Sequence, residues 1–278
     1  MTAPPRLLAV ILDWAGTVID HGSRAPMGAF VRAFANFGVE ITEADARGPM
    51  GMAKREHIRA IGLAPHVAAA WHARHGHDFA EADIDAIFAA FEPLNIAAVR
   101  AHADLIPGAL EAVRDISARG IRIGSTTGYT RPIMQALLPI AAAAGYAPEI
   151  VVCAGDLAAG RPSPLMMWHA MATLGVWPAD RVVKVDDTPV GLQEGVAAGT
   201  WTVGVAVTGN IAGLSAEALA ALPPAELVAL RARATAALRA AGADLVIDGI
   251  ATLPDAVDEI ERRMAAGKGP RGTALAAA

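Results

Sequence analysis

Val10-Ile11-Leu12-Asp13-Trp14-Ala15-Gly16-Thr17 is the stretch on which the fold turns. An apolar run over residues 7–12 delivers an acid, Asp13, and Gly16 and Thr17 then turn the chain. In an open parallel sheet, ligands bind outside the carboxyl ends of the strands. Asp13 therefore stands where chemistry is expected, with a donor-rich loop behind it. Taken alone, the octet also reads as a strand closed by a turn-forming Asp. The rest of the chain decides. Apolar, β-branched runs at 121–124, 150–153, 182–185, 202–207 and 245–247 each end in polar turn residues. Helical patterns at 109–119, 132–144, 165–174 and 190–198 alternate with them. Strands alternating with helices predict a Rossmann-like α/β core, a parallel sheet covered on both faces.

Residues 22–100 break that rhythm with helical patterns alone, at 27–37, 53–61, 65–74 and 81–99. They predict a helical cap inserted directly after the first strand and its loop. The expected division is a core of residues 1–21 and 101–266, a cap of 22–100, and a Gly/Ala-rich tail of 267–278 expected to be disordered. A second helical stretch, 210–240, is rich in Ala, Leu and Arg. The net charge of −5 gives no electrostatic footprint for nucleic acid. The one cysteine, Cys153, excludes an intrachain disulfide and a cysteine metal cluster. The apolar run at 7–12 is too short for a signal sequence, and no run approaches the roughly 20 residues of a membrane span. The expectation is a soluble cytoplasmic protein.

The strand ends carry the chemistry. Asp13 offers a carboxylate; Thr126, with Ser125 and Gly128, offers hydroxyl and backbone donors for phosphate oxygens. Arg161, in Gly160-Arg161-Pro162, offers a guanidinium fork for an anion. Asp186 and Asp187 are adjacent acids suited to a hard cation such as Mg²⁺. Singly, each has a plain alternative: Thr126 or Asp187 as a helix cap, Arg161 as a surface side chain. Their joint order is the signal: acid, hydroxyl, cation, acid pair, each at a strand end. His66, His72, His75 and His77 around Trp71 read as a polar helix end rather than a metal site, and Trp14 as packing.

That order resembles the haloacid dehalogenase superfamily, mostly phosphotransferases with an aspartate nucleophile and Mg²⁺, in which an insertion between the first two motifs is the usual cap. Most phosphatases of the superfamily carry a second Asp two residues after the nucleophile, as general acid and base. Here that position is Ala15. Asp13-Trp14-Ala15-Gly16-Thr17 instead looks like the phosphonoacetaldehyde hydrolase subfamily. So do Arg47-Gly48-Pro49-Met50-Gly51-Met52-Ala53-Lys54 and Ile123-Gly124-Ser125-Thr126-Thr127-Gly128-Tyr129-Thr130-Arg131. Gly160-Arg161-Pro162 and Trp201-Thr202-Val203-Gly204-Val205 fit as well.

The resemblance implies hydrolysis of the C–P bond of phosphonoacetaldehyde to acetaldehyde and phosphate. Lys54 would form a Schiff base with the aldehyde, and the protonated imine would take up the electrons of the broken bond. Asp13 would accept the phosphoryl group. His57, one helical turn after Lys54, would assist proton transfers. Met50 and Tyr129 would lie against the substrate, and Thr126, Gly128 and Arg161 would bind its phosphonate. Asp13, the Ala15 backbone carbonyl and Asp187 would hold Mg²⁺, with Asp186 as the alternative ligand. A homodimer through the caps is implied too, which apolar patterns at 27–37 and 65–74 support. Two positions depart from the superfamily pattern. Many members have Gly-Asp at the fourth strand end and a further Asp four residues later; here stand Asp186-Asp187 and Gly191, so Asp186 is read as supplying the missing carboxylate. Ser23 stands in the cap linker where relatives can have Cys. Two rival readings are a phosphate monoesterase or phosphomutase of the same superfamily, opposed by Ala15, and a non-catalytic phosphate-binding protein, opposed by the retained Asp13, Lys54 and Asp187.

Overall fold

The structure is a computed structural model and describes residues 6–275. Six strands, β1 (Ala9–Leu12), β2 (Arg122–Thr130), β3 (Ile150–Ala154), β4 (Val182–Asp186), β5 (Trp201–Val205) and β6 (Leu245–Ile247), form one sheet in the order β3-β2-β1-β4-β5-β6. Every pair is parallel. The chain runs from β1 through β2 to the β3 edge and then crosses back to β4 on the other side of β1, so the crevice of the doubly wound sheet opens at the carboxyl end of β1, where Asp13 follows. Alternation along β1 divides the core. Val10 and Leu12 pack on one face with Trp14, Ile116, Leu137 and Ile260, while Ala9 and Ile11 pack on the other with Met166 and Met167.

Between β1 and β2 lie α1 (Ala25–Ala35), α2 (Glu43–Arg47), α3 (Lys54–Gly62), α4 (Pro65–His75) and α5 (Glu81–Ala101). They enclose a separate apolar core that includes Phe30, Phe34, Ile58, Trp71, Ile87 and Phe91. The apolar residues of α1 and α4, on which the expectation of a dimer leaned, are spent in this core: Met27, Phe30, Phe34, Val67 and Trp71 are all buried within the one chain. The short α2 escapes the apolar pattern; Thr42 and Asp45 start it with a reciprocal capping box. The core helices are α6 (Ala109–Ala118), α7 (Arg131–Ala143), α8 (Leu165–Leu174), α9 (Pro189–Ala198), α10 (Ala216–Ala220), α11 (Pro224–Ala240) and α12 (Leu253–Ala265). The stretch 210–240 thus supplies α10 and α11, of which α11 packs on α9, β5 and β6.

Two expectations are corrected. β2 was expected to end at residue 124 but pairs with β3 as far as Thr130, with a shift of register between Thr127 and Thr130. Such a bulge re-aims side chains beside a site. The tail from 267 is ordered through 275 because Arg271 anchors it: its backbone N–H donates to Asp244 Oδ1 and its guanidinium to Thr200 O at 2.9 Å. The expectation for 276–278 lies outside the described residues, as do residues 1–5 of the expected core. Among the described residues no helix is long and apolar enough to cross a membrane.

Candidate active site

Four strand ends and one cap segment converge on a cavity of about 20 Å³. Its walls include Asp13 and Ala15 after β1, Thr127, Gly128 and Tyr129 of β2, Arg161 after β3, Thr188 after β4, Ser23 of the cap linker, Pro26 in the first turn of α1, and Met50, Gly51 and Lys54 of the cap. The pleat of β2, regular through Thr127, decides which threonine faces this space. Thr126, expected to meet phosphate, points away: its hydroxyl donates to Glu194 Oε2 (2.8 Å) and accepts from Lys184 Nζ (2.8 Å). Thr127 and Gly128 line the cavity in its place.

Lys54 opens α3 and is 3% exposed. Its ammonium sits 5.5 Å from the Phe30 ring centre, 5.2 Å from that of Tyr129 and 3.9 Å from Met50 Sδ. Among the described residues no carboxylate pairs with it. Burial pushes its pKa down to about 8, with Asp13 opposing and Arg161 adding to the fall. Asp13 moves the other way. Burial, then the neighbouring Asp186, raises its pKa to about 6, against the pull of Arg161, whose Nη2 donates to Asp13 Oδ1 at 2.7 Å. Arg161 also donates to Thr126 O (2.6 Å) and, through Nε, to Glu194 Oε2 (3.0 Å).

His57 is fully buried and does not reach the cavity wall. Its Nε2 lies 2.7 Å from Ala46 O and so carries the proton, while Nδ1 has no partner among the described residues. Burial and the charge of Lys54 hold its pKa well below the usual histidine range, so the ring is neutral.

Asp13, Asp186 and Asp187 bring carboxylate oxygens within 4.8 Å of one another, all buried. Their surroundings differ. Asp186 Oδ1 accepts from the Thr188 N–H (3.0 Å) and hydroxyl (2.6 Å). Its Oδ2 lies at ion-pair distance, though outside hydrogen-bond geometry, from Lys184 Nζ (3.1 Å) and Arg161 Nη1 (3.3 Å). Among the described residues the Asp187 side chain accepts hydrogen bonds from neutral donors alone, the Thr17 hydroxyl (3.3 Å) and the Asn210 N–H (2.6 Å). Burial, then Asp13 and Asp186, drives its pKa well above the carboxylate range. A buried carboxylate beside two others, with no cation of its own, fits a hard divalent ion held between Asp13 and Asp187. The departure at Gly191 also has a spatial basis: a Cβ there would fall 2.0 Å from Asp186 Oδ2, so the Asp186 carboxylate fills that space.

Comparison with known proteins places the chain in a family. The profile of haloacid dehalogenase-like hydrolases matches residues 7–199. Phosphonoacetaldehyde hydrolase of Paraburkholderia phytofirmans is 52% identical over 94% of this chain and 98% of its own length. The chain belongs to this family of hydrolases. It is an enzyme. Phosphonoacetaldehyde hydrolase of Paraburkholderia xenovorans is likewise 52% identical over the same shares. The crystal structure of a phosphonoacetaldehyde hydrolase-like protein from Oleispira antarctica superposes with a TM-score of 0.94 at 40% identity, covering 97% of this chain and 98% of that one.

Of the residues named from the sequence, the fold gathers Asp13, Ala15, Met50, Lys54, Gly128, Tyr129 and Arg161 around one cavity. Sequence reasoning passed over Thr17, Lys184, Glu194 and Asn210. Lys184 left a signal: a lysine between Val183 and Val185 in a strand buried on both faces has no route to water and needs an internal partner.

Proposed function

We propose that this enzyme hydrolyses phosphonoacetaldehyde to acetaldehyde and phosphate, through an imine on Lys54 and a phosphoryl group carried on Asp13. The observation that carries the reading is the Lys54 ammonium, buried over the cavity of Asp13 without a carboxylate partner. A structural lysine in that position would be expected to hold an ion pair; one kept readily deprotonated serves as a nucleophile.

The neutral amine adds to the aldehyde carbon, and loss of water leaves a protonated imine. Asp13 attacks phosphorus. As the new O–P bond forms, the C–P electron pair moves into the imine and yields an enamine. No proton is needed at the leaving carbon in that step, so Ala15 can stand where an ester phosphatase keeps its acid. The enamine is then protonated at carbon and hydrolysed, releasing acetaldehyde and Lys54. Water cleaves the phosphoryl group from Asp13. Arg161, Thr127 and Gly128 line the cavity and would supply donors to the phosphonate oxygens. Proton transfers by His57 would use Nδ1, its unpartnered nitrogen. Mg²⁺, held by Asp13, the Ala15 carbonyl and Asp187, would neutralise phosphonate charge.

Borohydride reduction in the presence of phosphonoacetaldehyde, followed by peptide mapping, tests the reading. The label is expected on Lys54. Lys54→Arg keeps the charge but forms no imine, so phosphate release should fall by several orders of magnitude. Labelling of another lysine, or near-normal turnover by the variant, would overturn it.

A further inference from the structure

Arg47 closes α2, seven residues before Lys54, and its guanidinium crosses from the cap to the core. One nitrogen, Nη1, lies 2.9 Å from Gly22 O in the cap linker, 3.0 Å from Asn210 O and 3.2 Å from Asn210 Oδ1. Asn210 reciprocates with its side-chain N–H to Arg47 O at 3.4 Å. The core loop is shaped for this guest: a Cβ on Gly213 would fall 2.7 Å from Arg47 Cζ. On its other side the same loop touches the acid cluster. The Asn210 N–H donates to Asp187 Oδ2 at 2.6 Å, and a Cβ on Gly209 would fall 2.4 Å from Asp187 Cβ. Burial pulls the Arg47 pKa down, and no carboxylate forms a hydrogen bond with it among the described residues. Its partners are carbonyl oxygens, which are geometric rather than ionic fasteners.

We propose that Arg47 and Asn210 are positioning residues that clasp the cap to the core and couple its seating to the orientation of the Asp187 carboxylate. The proposal rests on the functional reading above, in which Asp187 faces the divalent ion and cap closure brings Lys54 over Asp13. Seating the cap fixes Arg47, Arg47 fixes Asn210, and the Asn210 N–H fixes Asp187 Oδ2. Such coupling is reciprocal: if a seated cap favours the cation, the cation favours a seated cap.

The test uses the full-length protein with Mn²⁺ as probe. In the wild type, Mn²⁺ should slow amide exchange in the cap linker (20–24) and in the 208–213 loop. In Arg47→Met, which touches no proposed ligand, this protection should largely vanish and Mn²⁺ affinity should fall on the order of tenfold. The kcat for phosphonoacetaldehyde should drop by a similar factor with KM changing less, because the groups that meet the substrate are unaltered. Asn210→Ala keeps the N–H to Asp187 but loses both side-chain contacts with Arg47; it should show the same changes more weakly, and it carries the test if Arg47→Met does not fold. Equal protection by Mn²⁺ and equal Mn²⁺ affinity in folded variants and wild type would overturn the clasp. A wild type that fails to trap at Lys54 would strike the functional reading instead, and the exchange data would still judge the clasp.

Discussion

At the scale of single residues, Lys54 concentrates the tension between stability and function. Burial holds its pKa at about 8 in the folded protein, against 10.5 for an ordinary lysine. At neutral pH the fold therefore carries a charged group that its surroundings disfavour by about 3 kcal/mol. Lys54→Met keeps the volume and removes the charge. The variant should be inactive, yet more stable than wild type at pH 7 by up to about 3 kcal/mol. The sign of the pH dependence follows from linkage. Between about pH 8 and 10.5 the unfolded chain binds more protons than the folded one, so wild-type stability rises with pH and the advantage of the Lys54→Met variant shrinks. Urea unfolding at pH 7 and pH 9.5 checks both parts; a variant no more stable at pH 7 would show that the ammonium is better solvated than its burial implies. The same group sets a kinetic expectation. With metal saturating, kcat/KM for phosphonoacetaldehyde should fall as pH drops below about 8, because the protonated amine cannot add to the aldehyde.

At the scale of elements, the junction of β4 and α9 shows what a sequence discloses and what it hides. The apolar run ending in paired acids was legible as a strand delivering carboxylates to the crevice, and so was the helix after it. The roles within the pair were not legible, because they depend on what each acid meets in space. Asp186 is surrounded by Thr188, Lys184 and Arg161, while Asp187 accepts hydrogen bonds from neutral donors alone among the described residues. Asp187→Asn should therefore abolish Mg²⁺-dependent phosphate release, and Asp186→Asn should weaken metal affinity less; Mg²⁺ titration of both variants checks the ranking. Thr126 was misjudged for a similar reason. Which of two adjacent threonines meets the crevice depends on the phase of the pleat and on Glu194 and Lys184, which hold the Thr126 hydroxyl, and the local pattern marks neither. The spatial exchange between 186 and 191 gives a sharper test. Gly191→Asp alone should be inactive, since its Cβ collides with the Asp186 carboxylate. Adding Asp186→Gly should restore activity if the two positions serve one carboxylate site. A double variant as dead as the single one would mean that the acid must come from the strand.

For the whole molecule, the decisive quantity is the size of the cavity. About 20 Å³ is room for a water molecule rather than for a phosphonate with its aldehyde, so the proposed reaction would require the cap to move. The two-part architecture was legible from the interrupted strand–helix rhythm; the closed seating was not, because it depends on contacts between residues far apart in sequence. A homodimer through the caps is the assembly the family resemblance implies, and light scattering at micromolar concentration checks it. With α1 and α4 spent on the cap's own core, Leu63 is the large apolar side chain the cap leaves most exposed among the described residues. Cap movement must be absorbed by the linkers, and the first has an unusual backbone: Asp20, Gly22 and Ser23 all have positive φ, at 53°, 84° and 51°. Gly22 is the most constrained of the three. Its N–H donates to Thr208 O at 2.8 Å, its carbonyl receives Arg47, and a Cβ there would fall 2.3 Å from Leu214 O. These contacts join linker to core loop in the seating seen here, and a cap that opens would have to release them. Gly22→Ala should therefore penalise the closed molecule more than the open one. The folded variant is expected to lose on the order of tenfold in kcat/KM, with faster amide exchange in residues 20–24 and only the modest fall in melting temperature that an alanine at positive φ brings. Unchanged kinetics would mean that closure does not pass through this linker, and a collapse in melting temperature would mean that Gly22 serves the fold rather than the movement.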